Sequence, residues 1–204
     1  MSILISVEAE DKLQCVIGAR LLDEFGEKYE IDHDPQKHSN ARSLLDSKGH
    51  PDSKGGIERE AQAWNRAAAD GNIRLVLMDM DDLASPHNKR NCPESQIRRI
   101  LGNEKKHDNF LFRIAVFEAE SWLLADRDGV ASFFDVKATK IPDDVDGLKN
   151  TKEFLRSLTG GKKISRKIHR KIYEFAKSCW KPKRAAKNSK SLRRTLERLD
   201  KFGG

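Results

Sequence analysis

Four short apolar segments, separated by stretches with helical periodicity, constrain the fold of this 204-residue chain most strongly. They read "ILISV" (residues 3–7), "YEIDHD" (29–34), "IRLVLMD" (73–79) and "FLFRIAVFE" (110–118). Near-continuous apolar runs of this length are typical of strands that are buried on both faces of a sheet. The alternation with helices predicts an α/β fold with a four-stranded, mainly parallel sheet flanked by helices.

Charge divides the chain into two parts. Residues 1–150 hold 21 basic and 28 acidic side chains, whereas residues 151–204 hold 18 basic and 4 acidic ones. We therefore predict an α/β domain over 1–150 and a basic helical C-terminal extension over 151–204. A net charge of +14 on the extension favours a polyanionic partner, although a charged helical face also serves solubility alone.

The basic residues indicate a nucleic-acid interface that recognises phosphates without reading bases. The predicted nucleic-acid-binding residues are Lys54, Arg166, Lys167, Arg170, Lys171, Lys183, Arg184, Arg193 and Arg194. The extension also has two apolar stripes, Ile168–Ile172–Phe175–Cys179 and Leu192–Leu196–Leu199–Phe202, which pack on the domain or hold a protein partner. The segment "KPKRAAKNSK" has no apolar stripe and is predicted to be a linker or a nucleic-acid contact.

Carboxylates follow three of the predicted strands. Glu8 comes directly after the first strand, Asp79 and Asp81 close the third, and Glu118 and Glu120 follow the fourth. The carboxyl ends of parallel strands meet at one edge of a sheet, where the functional residues of such folds usually lie. Clustered carboxylates repel one another unless a cation compensates them, and Mg²⁺ prefers carboxylate oxygens. The pattern predicts a divalent metal site, whereas neighbouring acids such as Asp11 are better explained as helix caps.

These residues carry a resemblance to a known fold. A Glu after the first strand and "DMD" after a later one resemble the TOPRIM domain. The segments "ILISVEAEDKLQ", "LVLMDMDDLASP" and "FRIAVFEAESWLLADRDGVASFF" resemble the prokaryotic DUF4276 family of TOPRIM-like proteins, related to OLD-family nucleases. In place of the usual Gly after the first Glu stands Ala9, which resists a positive φ.

The resemblance implies a TOPRIM/Rossmann-like fold and a Mg²⁺- or Mn²⁺-dependent nuclease that acts in anti-phage defence with an ATPase partner. It implies catalytic roles for Glu8, Asp79, Asp81 and Glu118. The implied metal ligands are Glu8, Asp79, Asp81 and Glu120. Two alternatives stay open: a non-catalytic subunit that binds an ATPase partner or nucleic acid, and a phosphoryl-transfer protein that uses the aspartates differently.

The remaining features are less informative. The N-terminus does not have the pattern of a signal peptide and no segment is long and apolar enough to span a bilayer, so we expect a cytoplasmic protein. The three cysteines have no metal-binding spacing and are expected to be reduced. Trp64 and Trp122 are predicted to be core residues. Trp180 is predicted to dock the extension onto the domain, with base stacking as the alternative.

Overall fold

The computed structural model describes residues 2–9, 11–32, 36–37, 56–79, 97–98, 100–115, 118–158 and 166–202. The strands are β1 (Ile3–Ala9), β2 (Tyr29–Ile31), β3 (Gln36–Lys37), β4 (Arg74–Asp79) and β5 (Phe110–Ala115). The helices are α1 (Lys12–Asp23), α2 (Gly56–Ala69), α3 (Glu120–Leu124), α4 (Arg127–Phe134), α5 (Thr151–Leu158), α6 (Arg166–Ser178), α7 (Pro182–Ala185) and α8 (Lys190–Lys201). Residues 97–98 and 100–101, which lie in the segment "PESQIRRIL", are also helical.

The strands form a parallel sheet in the order β2-β1-β4-β5. The two-residue strand β3 pairs with Glu8 and Ala9 at the end of β1, also in parallel. The predicted α/β fold with a parallel, helix-flanked sheet is therefore confirmed. The segment 33–56 is rich in Asp, Ser, Lys, Gly and Pro, a composition that predicts a loop. β3 falls within it, and residues 33–35 and 38–55 lie outside the described ranges.

The two sheet faces bury two separate cores, because side chains alternate between the faces along each strand. One core joins Val76 and Phe112 of the sheet to Trp64 of α2 and to Leu101. The other joins Val7, Leu75 and Leu111 to α1, α3 and the C-terminal helices. Continuous apolar runs such as "IRLVLMD" therefore place alternate residues in different cores.

The C-terminal extension belongs to the second core. Both apolar stripes pack there, since Ile172, Phe175, Leu192 and Leu199 are buried. Trp180 is fully buried, and its Nε1–H donates to the Trp122 carbonyl oxygen at 3.1 Å. The predictions that Trp180 docks the extension and that Trp122 is core are confirmed. The apolar stripes are thus occupied within the chain and do not form a free surface for a partner.

Asp126 lies between α3 and α4 and also contacts the segment "KPKRAAKNSK", which is predicted to be a linker or a nucleic-acid contact. The segment "AESWLLADRDGVASFF" forms two helices: α3 ends at Leu124, and Asp126 caps α4 by accepting from the Gly129 amide at 3.4 Å. Its fully buried carboxylate also accepts from the Lys181 amide at 2.9 Å and pairs with the Arg184 guanidinium. The predicted linker is therefore wrong for residues 182–185: they form α7, held on the domain by this carboxylate.

No helix within the described ranges is long and apolar enough to cross a membrane. Cys15 and Cys179 are free thiols.

Candidate functional site

Three carboxylates surround one lysine at the carboxyl edge of the sheet. The Lys152 ammonium lies 3.7 Å from Asp79 Oδ2, 3.7 Å from Glu118 Oε1 and 3.6 Å from Glu120 Oε1. Asp79 ends β4, Glu118 follows β5, Glu120 begins α3 and Lys152 lies in the first turn of α5. We call these four residues the carboxylate–lysine cluster. The expectation that acids from separate strands meet at one edge holds for Asp79, Glu118 and Glu120.

Backbone amides fix two of the carboxylates. The Ala119 amide donates to Asp79 Oδ1 at 2.7 Å, which ties the end of β4 to the turn before α3. Glu118 Oε2 accepts from the Lys152 amide at 3.1 Å and from the Thr151 hydroxyl at the start of α5. In both residues the second oxygen faces the Lys152 ammonium. The hydrogen bonds therefore orient the cluster without using the oxygens that face its centre.

Burial and the neighbouring charges shift the pKa values of Glu120 and Lys152 in the cluster. It raises the pKa of Glu120 to about 7 despite the nearby Lys152, because an ionised carboxylate loses its hydration there. Burial alone would lower the pKa of Lys152, but Glu120, Asp79 and Glu118 together hold it above its ordinary value. The lysine is consequently charged at neutral pH. Glu120 titrates in the physiological range.

Glu8 lies away from this cluster. Its carboxylate is 3% exposed and pairs with Arg74, which lies one strand away on β4. Alternation along β4 puts Asp79 on the opposite sheet face from Arg74 and Val76, and Glu8 is registered beside Val76. Asp79 lies three residues beyond that level, about 10 Å along the strand direction. The structure therefore does not place Glu8 with Asp79 as predicted for a shared metal ion.

Two further predicted site residues, Asp81 and Lys54, lie outside the described ranges. Across the part of the chain that is described, no three His, Cys, Asp or Glu side chains are placed to hold a metal ion. The cluster nevertheless has the right donor chemistry for one, since three carboxylate oxygens converge on a positive charge.

A cleft of about 640 Å³ adjoins the cluster. Glu120 and Lys152 line it together with the N-terminal residues of α1, from Asp11 to Leu13, and with the following residues of α6: Ile168, His169, Arg170, Ile172 and Tyr173. Asp11 caps α1 by accepting from the Gln14 amide at 2.8 Å, as its predicted role requires. The cleft thus joins the carboxylates of the sheet edge to the basic helix of the extension.

The predicted nucleic-acid-binding residues fall into two groups. Six are exposed on α6 and α8: Arg166, Lys167, Arg170, Lys171, Arg193 and Arg194. The other two described residues make contacts within the fold. Arg184 pairs with buried Asp126, and Lys183 Nζ donates to the Glu24 carbonyl oxygen at 2.7 Å. These contacts give Lys183 and Arg184 a structural role, because their charges stabilise the docking of α7.

Sequence reasoning did not identify Lys152, the residue at the centre of the cluster. It is one of many lysines in a basic segment, and no motif marks it. The relevant signal is its position at the start of α5, next to Thr151, which also contacts Glu118. Only the tertiary fold brings this helix start to the sheet edge.

Comparison of the chain with protein-family models, with curated proteins and with solved structures gives no match. The function is therefore inferred from the site alone.

Proposed function

We propose that this protein is a divalent-cation-dependent nuclease that hydrolyses nucleic-acid phosphodiesters at the carboxylate–lysine cluster. The observation that carries the proposal is the convergence of Asp79, Glu118 and Glu120 beside a cleft whose other wall is a basic helix. Carboxylates suit Mg²⁺ or Mn²⁺, and cations on α6 suit the phosphates of the substrate.

The three oxygens that face Lys152 would hold the ion; Asp81, outside the described ranges, stays a sequence-based prediction as a ligand. A bound Mg²⁺ polarises phosphate oxygens and lowers the pKa of a coordinated water. Glu120 must ionise to act as a ligand, so binding releases its proton near neutral pH. Lys152, which lines the cleft, would be available to bind a phosphate oxygen of the substrate if an ion took its place among the carboxylates. Glu8, paired with Arg74, stabilises the β1–β4 pair in this account.

The test is cleavage of labelled single-stranded and duplex DNA and RNA in Mg²⁺ or Mn²⁺. We expect Asp79→Asn and Glu120→Gln to lose cleavage and Glu197→Gln, an exposed carboxylate on α8, to retain it. Because a single group that stabilises transition-state charge supplies a rate factor of about 10²–10³, losses of at least that size are expected. Cleavage that persists in Asp79→Asn would overturn the proposal.

One observation favours a second candidate, a non-catalytic subunit that binds an ATPase partner or nucleic acid, as in a defence complex. Lys152 already supplies a positive charge that faces all three carboxylates, so the cluster has a counterion within the chain. Purified wild-type protein that binds nucleic acid, lacks cleavage in every metal and co-purifies with an ATPase would support this candidate over the first.

A further inference from the structure

The cleft beside the carboxylate–lysine cluster contains an exposed aromatic ring. Tyr173 and Leu4 are the large hydrophobic side chains that stand out as exposed in the described ranges, at 36% and 52%. Leu4 lies on β1, whereas Tyr173 lies on α6 and lines the cleft with Glu120 and Lys152. An exposed aromatic side chain that lines a cleft with nearby cations offers a face on which a nucleic-acid base stacks.

The rest of the cleft lining suits such a ligand. Leu13, Ile168 and Ile172 form an apolar floor. Lys12 and Arg170 add positive charge, and Arg170 Nε donates to Glu174 at 2.8 Å, which holds its guanidinium on the helix surface. An apolar floor with an aromatic ring and adjacent cations is the arrangement that binds bases and phosphates of single strands.

We infer that this cleft binds single-stranded nucleic acid, with one base stacked on Tyr173 and adjacent phosphates bound by Lys12 and Arg170. This inference rests on the proposed function, since it names the substrate class of the same site. A volume of about 640 Å³ lies within the range of about 300–1,000 Å³ that is usual for small-molecule pockets. A volume of this size matches one or two nucleotides, and the bases of a duplex are stacked on each other and unavailable to Tyr173.

The experiment measures binding in EDTA, so that cleavage plays no part. The probes are fluorescein-labelled oligothymidylate and oligouridylate of about ten nucleotides, and a DNA duplex of equal length. Binding of each probe is measured by fluorescence anisotropy. We expect tighter binding of at least one single strand than of the duplex. Tighter binding of the duplex would overturn the inference.

Variants of one residue separate stacking from charge. Tyr173→Ala is expected to weaken binding of the preferred single strand about tenfold, whereas Tyr173→Phe and Tyr173→Trp keep wild-type affinity within about twofold. Ser178→Ala, an exposed change on the same helix, is the matched control and leaves affinity unchanged. The salt dependence stays as in the wild type in Tyr173→Ala, because the cations that bind phosphates are unchanged.

Failure of the stacking site and failure of the nuclease proposal give different results. Wild-type affinity in Tyr173→Ala contradicts the stacking site, whatever the protein does with Mg²⁺. Tenfold weaker binding in Tyr173→Ala, with rescue by Tyr173→Phe, supports the site even when no metal gives cleavage, in which case the nuclease proposal alone fails. Melting curves of each variant verify that the fold is intact, and Tyr173→Phe gives a readable result should Tyr173→Ala unfold.

Discussion

The Lys152 ammonium lies 3.6 Å from the Glu120 carboxylate, although the two residues lie in the first turns of different helices. With Asp79 and Glu118 they form a cluster in which the half-buried positive charge of Lys152 faces three carboxylates. In the nuclease account the lysine holds the acids together until a divalent ion replaces it. In the non-catalytic account it is the permanent counterion.

Replacing Lys152 by Met separates these accounts. Lys152→Met leaves three carboxylates without their cation. In EDTA it is therefore expected to lower the free energy of unfolding by about 3 kcal/mol, which appears as a lower melting temperature. In saturating Mg²⁺ the nuclease account predicts recovery, since binding at 100 times the dissociation constant adds about 2.7 kcal/mol. Scanning calorimetry with and without Mg²⁺ measures both effects. Lys177→Met, an exposed change on α6, is the control. A Lys152→Met protein that Mg²⁺ does not stabilise supports the permanent counterion.

Glu120 gives a pH dependence of stability with a defined sign. Its pKa is about 7 in the fold against an ordinary value of 4.5, so the folded state binds this proton more tightly than the unfolded state. Stability from this group is therefore present at low pH and decreases as pH rises from 4.5 to about 7, a change on the order of 3 kcal/mol. Glu120→Gln removes this dependence. Urea denaturation of both proteins in EDTA from pH 4 to pH 8 measures the difference; a difference that does not change with pH contradicts the burial argument.

Arg184 tests whether the extension depends on its internal ion pair. Arg184→Met leaves the fully buried Asp126 carboxylate without its guanidinium and is expected to cost about 3 kcal/mol of the free energy of unfolding. Arg193→Met, an exposed change on α8, is expected to cost less than about 0.5 kcal/mol. Equal stability of the two variants in urea would show that Arg184 is not structural.

The exposed cations of α6 determine how binding depends on salt. Lys167→Gln with Lys171→Gln removes two charges, and each phosphate that is no longer neutralised lowers the slope of log affinity against log salt by about 0.7 for a single strand. The matched control is Lys137→Gln with Lys149→Gln, two exposed lysines of residues 1–150, which leaves the slope unchanged. A slope that changes equally in both double variants means that the charge acts only as a diffuse field.

Strand ends were the part of the site that the sequence could predict. Asp79, Glu118 and Glu120 follow apolar runs, and parallel strands deliver their carboxyl ends to one edge. Glu8 follows the same rule but faces the other side of the sheet, and its pairing with Arg74 depends on the β1–β4 register, which strand patterns do not specify. The sequence could not predict the contacts that depend on how the C-terminal helices dock on the domain. These are the contacts of Lys152 with the carboxylates, the place of Tyr173 in the cleft and the Asp126–Arg184 pair, and each brings together residues far apart in the chain.

Isothermal titration calorimetry of Mn²⁺ into the protein at neutral pH tests the metal site most directly. The account predicts saturable binding of an ion by the wild-type protein, weakened at least tenfold in Asp79→Asn and retained in Glu197→Gln. Absence of binding in the wild type, or equal binding by wild type and Asp79→Asn, would contradict it.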